Sequence, residues 1–283
     1  MAVPTRAKRK LGAFLADLRN RAGFSAEEAA KELITSRPTV TRYESGGVMP
    51  VWASVAMLLR FYDTGGDDIA KAKVLWEQAH DEPAPVRLPA GTPKPYRKLI
   101  TSEAEARSER IVAPTVVEGL LQTKQYARAL MTSGRHFRTS EAQTDSAVNV
   151  RLNRQKRLVG RDPLQLTVLL DQVAIVRQVG GSDVMREQLT YLLDMSTRAS
   201  ITLQIIPFSG GSYGTMNGAY TIVDYPDPDD SPNVYLEYPA GGAWLENEAD
   251  VQKFVATFTD VSELALSPDD TAELIRQQIE ALE

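Results

Sequence analysis

The residues that invite chemistry lie near the start of the chain, in "TSRPTVTRYESG" (residues 35–46). Two arginines, Arg37 and Arg42, sit five apart among small hydroxyl and turn residues: Ser36, Pro38, Thr39, Thr41 and Ser45. Arginine can engage a guanine edge in the major groove through two donors at once. Small side chains let a helix sit deep in that groove, and hydroxyls beside a helix N-terminus, where Ser36 sits ahead of free amides, favour a phosphate. Nucleic-acid recognition is the chemistry these types support, against the plainer reading of a helical module used only for protein contact. Other chemistries are restricted by composition. The chain has no cysteine, which excludes thiol catalysis, thiolate metal sites and disulfides. Its two histidines, His80 and His136, are far apart in sequence, so a histidine zinc site is not expected. No nucleophile–base pair is visible, and neither catalysis, a metal nor a cofactor is expected.

Helical elements surround the arginines. "RKLGAFLADLRNRAGF" places Leu11, Phe14, Leu15 and Leu18 on one helix face, with Gly23 as its stop. "SAEEAAKEL" opens on Ser25 and Glu28, a capping box, and buries Ala29, Ala30 and Leu33. The next helix takes Ser36 as N-cap and Pro38 in its first turn. Val40 and Tyr43 turn inward, and Gly46 and Gly47 close it. "VWASVAMLLRFY" and "DDIAKAKVLWEQAH" supply two more helices. Two short helices joined by a tight turn inside a bundle describe a helix-turn-helix. Charge concurs. Residues 1–62 hold ten Lys and Arg against five Asp and Glu, a net of +5, while the whole chain stands at −5 and the remainder at −10. A basic head on an acidic body points to a polyanion partner for the head alone.

"DEPAPVRLPAGTPKP" (81–95) holds five prolines and reads as a stiff linker between an N-terminal domain (1–80) and a larger one (96–283). Hydrophobic content of 43% is enough for a sizeable core in both. No apolar run reaches the roughly 18 residues of a membrane span, and no signal-peptide core follows the basic N-terminus, so a cytoplasmic protein is expected. In the second domain, "TSEAEARSER", "EGLLQTKQYARALM", "EAQTDSAVNVRLNRQKRLV" and "SDVMREQLTYLLDMS" read as helices. "LQLTVLL" reads as a buried strand, and "ITLQIIPF", "GAYTIVDY", "NVYLEY" and "GAWLEN" as four strands between Gly- and Pro-rich turns. Two helices end the chain. The expected fold is an all-α helix-turn-helix bundle followed by an α+β domain with a mostly antiparallel sheet.

The second domain offers no catalytic signature. "SGGSYGTMNG" (209–218) joins two strands and lacks the strand-to-helix context of a phosphate loop. "DYPDPDDSPN" (224–233) reads as a solvated acidic turn. Asp171 is expected to cap the helix after its strand, and His136 to lie on a polar loop.

"LRNRAGFSAEEAAKELITSRPTVTRYESG" resembles the Xre-type helix-turn-helix of phage repressors and bacterial regulators. The resemblance implies a recognition helix over Ser36–Ser45, with Arg37, Pro38 and Arg42 nearest the bases and Thr39 and Ser45 near phosphates. It also implies an internal ion pair between Arg19 and Glu44. Two positions depart from the pattern: Ala26 replaces a frequent phosphate-binding glutamine, and Ile34–Thr35 replaces a small or apolar turn pair, often Gly-Val. Beyond residue 96, "VAPTVVEGLLQTKQYARALM", "LLDQVAIVRQVGGSDVMREQLTYLLDMS", "ITLQIIPFSGGSYGTMNGAYTIVDYPDPDD" and "VYLEYPAGGAWLENEADVQKF" resemble the C-terminal domain of an actinobacterial family. Its members pair an Xre-type domain with a domain of unknown function. Glu118 and Gln172 depart from that family's pattern. The resemblance implies an antitoxin-like transcriptional regulator with a small partner protein encoded nearby. One recognition helix discriminates by only about 1–3 kcal/mol per well-read base pair, so a homodimer on a double-stranded DNA operator is expected. The alternative is a regulator whose C-terminal domain binds a small molecule that modulates DNA affinity.

Overall fold

A computed structural model describes residues 4–80, 88, 92–133, 140–238 and 241–282. Most of the expected linker, and His136 with its loop, lie outside the described residues. The chain divides into two compact units, Met1–Val86 and Arg87–Glu283.

The first unit is helical throughout its described length: α1 (Arg6–Arg21), α2 (Ala26–Glu32), α3 (Arg37–Glu44), α4 (Trp52–Phe61) and α5 (Gly66–His80). Leu11, Leu15 and Leu18 of α1 meet Ala29 and Ala30 of α2, Val40 of α3 and Val55, Leu58 and Leu59 of α4 in one buried core. Aromatic residues extend it: Phe24 packs on Phe61 at 4.3 Å between ring centroids, and Trp52 meets Trp76 edge-on at 5.7 Å. The Trp76 indole N–H, which must find an acceptor when buried, donates to the Pro50 carbonyl at 2.8 Å.

The second unit is built on a six-stranded sheet in the order β3-β2-β1-β4-β5-β6. Its strands are β1 (Ser108–Ala113), β2 (Gln165–Asp171), β3 (Ile201–Ile206), β4 (Tyr220–Asp224), β5 (Asn233–Tyr238) and β6 (Gly241–Leu245). The helices are α6 (Lys94–Glu105), α7 (Lys124–Ser133), α8 (Glu141–Arg154), α9 (Val173–Val176), α10 (Ser182–Ser196), α11 (Glu248–Leu264) and α12 (Pro268–Glu280). Alternation along the strands sorts residues to two faces. Ile111, Val168, Leu203 and Tyr235 face a core shared with α10 and α12, while Val112, Leu169, Ile222 and Val234 face α11 through Val251, Phe258 and Val261.

The expectation of a mostly antiparallel sheet is corrected. The sheet is mixed: β1–β2 and β2–β3 pair in parallel, while β1–β4, β4–β5 and β5–β6 pair antiparallel. The cause is β1, a central strand over residues that read as the tail of a helix. Glu109 occupies one of its inward positions and is fully buried, so the apolar alternation that announces a strand is broken there. With β1 in place, α7–α8 and α9–α10 become crossover connections, which return the chain in parallel. Neither Glu109 carboxylate oxygen has a hydrogen-bond partner among the described residues. Burial pushes its pKa well up, and Glu103 adds to the effect, so Glu109 is held neutral.

Candidate nucleic-acid interface

The turn between α2 and α3 is set locally. Ser25 and Glu28 form the capping box that starts α2: the Ser25 hydroxyl accepts from the Glu28 amide, and the Glu28 carboxylate accepts from the Ser25 amide at 2.8 Å. At the other end Ile34 N–H donates to Lys31 O and Thr35 N–H to Ala30 O, the hydrogen-bond pattern of a Schellman stop. That stop requires a left-handed residue, and Ile34 supplies it at φ 53° with its side chain 92% exposed. A β-branched residue there costs about 1–2 kcal/mol. The departure noted at Ile34–Thr35 therefore leaves the turn intact and stores strain in it.

Judged on its own, α3 is a poor helix. It spans eight residues, and its N-cap residue, Ser36, makes no side-chain capping bond. Its first residue is Arg37, where a cation opposes the helix dipole, and Thr39, Val40 and Thr41 are consecutive β-branched residues. The Ser36 hydroxyl turns instead to the Thr39 hydroxyl at 3.0 Å. The free amides expected beside Ser36 are fewer than foreseen. Pro38 has none and Thr39 N–H donates to Ser36 O, leaving the Arg37 N–H without a partner among the described residues.

Tertiary contacts hold α3. Val40 is fully buried and Tyr43 half-buried. Arg19 reaches from α1 to Glu44 with two hydrogen bonds, Nε to Oε1 at 2.6 Å and Nη2 to Oε2 at 3.1 Å. Its Nη1 donates to the Phe24 carbonyl at 2.8 Å and to Asn20 Oδ1 at 2.9 Å. Both side chains are 14% exposed. The Glu44 contact pushes the Arg19 pKa still higher against the opposing effect of burial, so the guanidinium stays charged. Close approach completes the seat. A Cβ on Gly12 would run into the Glu44 carbonyl and lie 2.6 Å from Tyr43 O, and one on Gly46, at φ +73°, would lie 2.8 Å from the Lys8 carbonyl carbon.

The outward side of α3 is what this scaffold presents. Ser36, Arg37, Pro38, Thr41, Arg42 and Ser45 are exposed and Thr39 is half-buried. Thr41 donates its hydroxyl to Arg37 O at 3.1 Å and Ser45 donates to Arg42 O at 3.3 Å, so both hydroxyls fold back on the helix. The Arg42 guanidinium makes one long contact, Nη2 to Thr39 Oγ1 at 3.4 Å, and the Arg37 guanidinium makes none among the described residues. Neither guanidinium meets a carboxylate among those residues. Two unpaired cations on one exposed face can bind an anion without first breaking an ion pair.

The other expected features fall elsewhere. Asp171 caps α9 by accepting from the Val173 amide at 2.8 Å, and its second oxygen accepts from the buried Tyr213 hydroxyl at 2.8 Å. Tyr213 comes from the Gly-rich stretch after β3, which thus packs back on the sheet. Gln172 accepts from the Phe208 amide and Glu118 from the Leu120 amide. Among the described residues no cluster of potential ligands could hold a metal, and no helix is long and apolar enough to cross a membrane.

The sequence signal missed a cavity of about 540 Å³ in the second unit, bounded by α6, α8, β5 and the segment after β1. Tyr96, Arg151, Arg154, Glu118, Tyr235 and Glu237 line it. Arg151 and Arg154, three apart on α8, were a signal that this helix turns charged side chains to one place.

Residues 10–72 match the family described as a helix-turn-helix domain. Residues 96–277 match the one described as a domain of unknown function (DUF5753). No curated protein and no solved structure matches the chain.

Proposed function

We propose, for a chain that belongs to the family of the domain of unknown function (DUF5753) and carries a helix-turn-helix domain ahead of it, a sequence-specific transcriptional regulator of the Xre type. The observation that carries this reading is α3: a helix weak in itself, docked by an ion pair and two glycines, with Arg37 and Arg42 exposed and unpaired. Arg37, Pro38 and Arg42 face bases. Ser36, Thr39, Thr41 and Ser45 lie along the backbone, where Thr41 and Ser45 must rotate away from the carbonyls they now satisfy to reach a phosphate.

The protein works as a homodimer in the cytoplasm and is not an enzyme. On the family resemblance it is an antitoxin-like actinobacterial regulator whose C-terminal domain carries the dimer contact and a site for a small partner protein. The test is the Arg37→Ala, Arg42→Ala double variant. Specific operator binding disappears while far-UV circular dichroism stays unchanged. Undiminished operator affinity in the folded variant rules the assignment out.

A second reading has its own support. The cavity at Arg151 and Glu237 falls in the size range of small-molecule sites, about 300–1,000 Å³. In this reading the C-terminal domain senses a ligand and adjusts DNA affinity.

A further inference from the structure

The cavity contains opposite charges that do not neutralise each other. Arg154 is already satisfied. Buried with Glu103, it donates Nε to both carboxylate oxygens at 2.9 and 3.2 Å and Nη2 to Oε2 at 2.5 Å. Its Nη1 donates to the Tyr96 hydroxyl at 3.2 Å. Arg151, one turn earlier, has no such partner. Its guanidinium's one hydrogen bond among the described residues runs from Nη1 to the neutral Gln122 Oε1 at 2.6 Å. Its Nε is buried without an acceptor, and its Nη2 makes no hydrogen bond among those residues. Nε and Nη2 form the guanidinium edge that takes a carboxylate two-pronged.

Gly119 lies close beside that edge. Its backbone φ is ordinary, so the turn does not require glycine, yet a Cβ there would lie 3.3 Å from Arg151 Nε and 3.5 Å from Arg154 Nη1. Glu237 lines the same cavity, and its carboxylate makes no hydrogen bond or ion pair among the described residues. Water reaches it at the rim, yet the surrounding protein pushes its pKa up. Glu118 adds to that shift, and Arg151 and Arg154 oppose it. Glu118 uses one oxygen to cap Leu120. Tyr96 and Tyr235, with ring centroids 6.3 Å apart, form the aromatic wall between these groups.

An unpaired guanidinium edge and an unpaired carboxylate lining one cavity ask for a ligand carrying both charges in reverse. We infer that the cavity binds a small zwitterion of the amino-acid or dipeptide class, its carboxylate on the Nε–Nη2 edge of Arg151, its amine between Glu237 and Glu118, and its body against Tyr96 and Tyr235. The inference rests on the second reading above only for its regulatory consequence, since the site stands on its own geometry.

The test is calorimetric titration and thermal shift of the full-length protein. The probes are the free α-amino acids and a dipeptide set, each beside its N-acetylated and C-amidated counterpart. At least one free zwitterion binds and, near 100-fold saturation, raises the melting temperature by several degrees. Blocking either end weakens it by about tenfold or more. Arg151→Gln and Glu237→Gln each weaken the free form by a similar factor. Because the Glu237 carboxylate has no partner to lose among the described residues, Glu237→Gln folds and can be titrated even where Arg151→Gln does not fold. Its signature is selective loss of the free-amine ligand over the acetylated one. The inference is overturned by the absence of any binder in the set at millimolar concentration. Equal binding of the blocked forms overturns it too, as does a Glu237→Gln variant with unchanged affinity. Binding that leaves operator affinity unaltered upholds the site and refutes the sensor reading.

Discussion

Removing Glu44 unseats the recognition helix without touching its outer face. In Glu44→Ala the Arg19 guanidinium loses two of its hydrogen bonds and the charge that balances it. Breaking a buried ion pair costs about 3–5 kcal/mol and an exposed one about 0–1 kcal/mol. At 14% exposure the pair belongs nearer the first range. Arg19 keeps its acceptors at Phe24 O and Asn20, and alanine is a better helix former by a few tenths of a kcal/mol, which together bring the expected loss to about 2 kcal/mol. About 2 kcal/mol corresponds to about 30-fold in the opening equilibrium of α3. Native-state hydrogen exchange on a peptide covering Arg37–Glu44 reads that factor, which salt reduces only in part because the pair is mostly buried. Adding Arg19→Ala recovers part of the loss by removing the orphaned charge, so the two changes are less than additive. Exchange in α3 within about threefold of the parent protein, or strictly additive changes, refutes the view that this pair holds the helix.

Ile34→Gly relieves the left-handed strain of about 1–2 kcal/mol and gives back about 0.5–1 kcal/mol in chain entropy. A net gain of about 0.5–1 kcal/mol in urea denaturation of the N-terminal unit is expected, and a loss contradicts the strain. Glu109→Gln acts through pH. The buried carboxyl holds its proton in the folded state, whereas the unfolded chain releases it near pH ~4.3, so the parent protein loses stability as pH rises above that value, at up to about 1.4 kcal/mol per unit. The loss ends where the folded carboxyl itself ionises. The neutral variant flattens that decline, and melting temperatures from about pH 5 to pH 8 measure it; an unchanged slope places the ionisation elsewhere.

How far the sequence was legible depended on how local the information was. Leu11, Leu15 and Leu18 repeat at helical spacing, and Ser25 with Glu28 caps within three residues, so the first unit's helices could be read directly. The pairing of Arg19 with Glu44 spans 25 positions and came from resemblance alone. In the second unit a single buried acid, Glu109, hid the central strand, and with it both parallel pairings. Four strands in succession read as antiparallel neighbours, but β3 leaves that series to join β2. The cavity was least legible, because Tyr96, Gly119, Arg151 and Glu237 come from four segments that only the folded sheet brings together.

The central claim is that Arg37 and Arg42 read DNA from the face of α3. Capture of genomic fragments by the purified full-length protein, followed by sequencing, tests it most directly when the Arg37→Ala, Arg42→Ala variant is run beside the parent. One enriched pseudo-palindrome, with half-sites about 34–36 Å apart along the duplex, is expected from the parent protein and vanishes in the folded variant. The same sequence recovered equally by both proteins would contradict it.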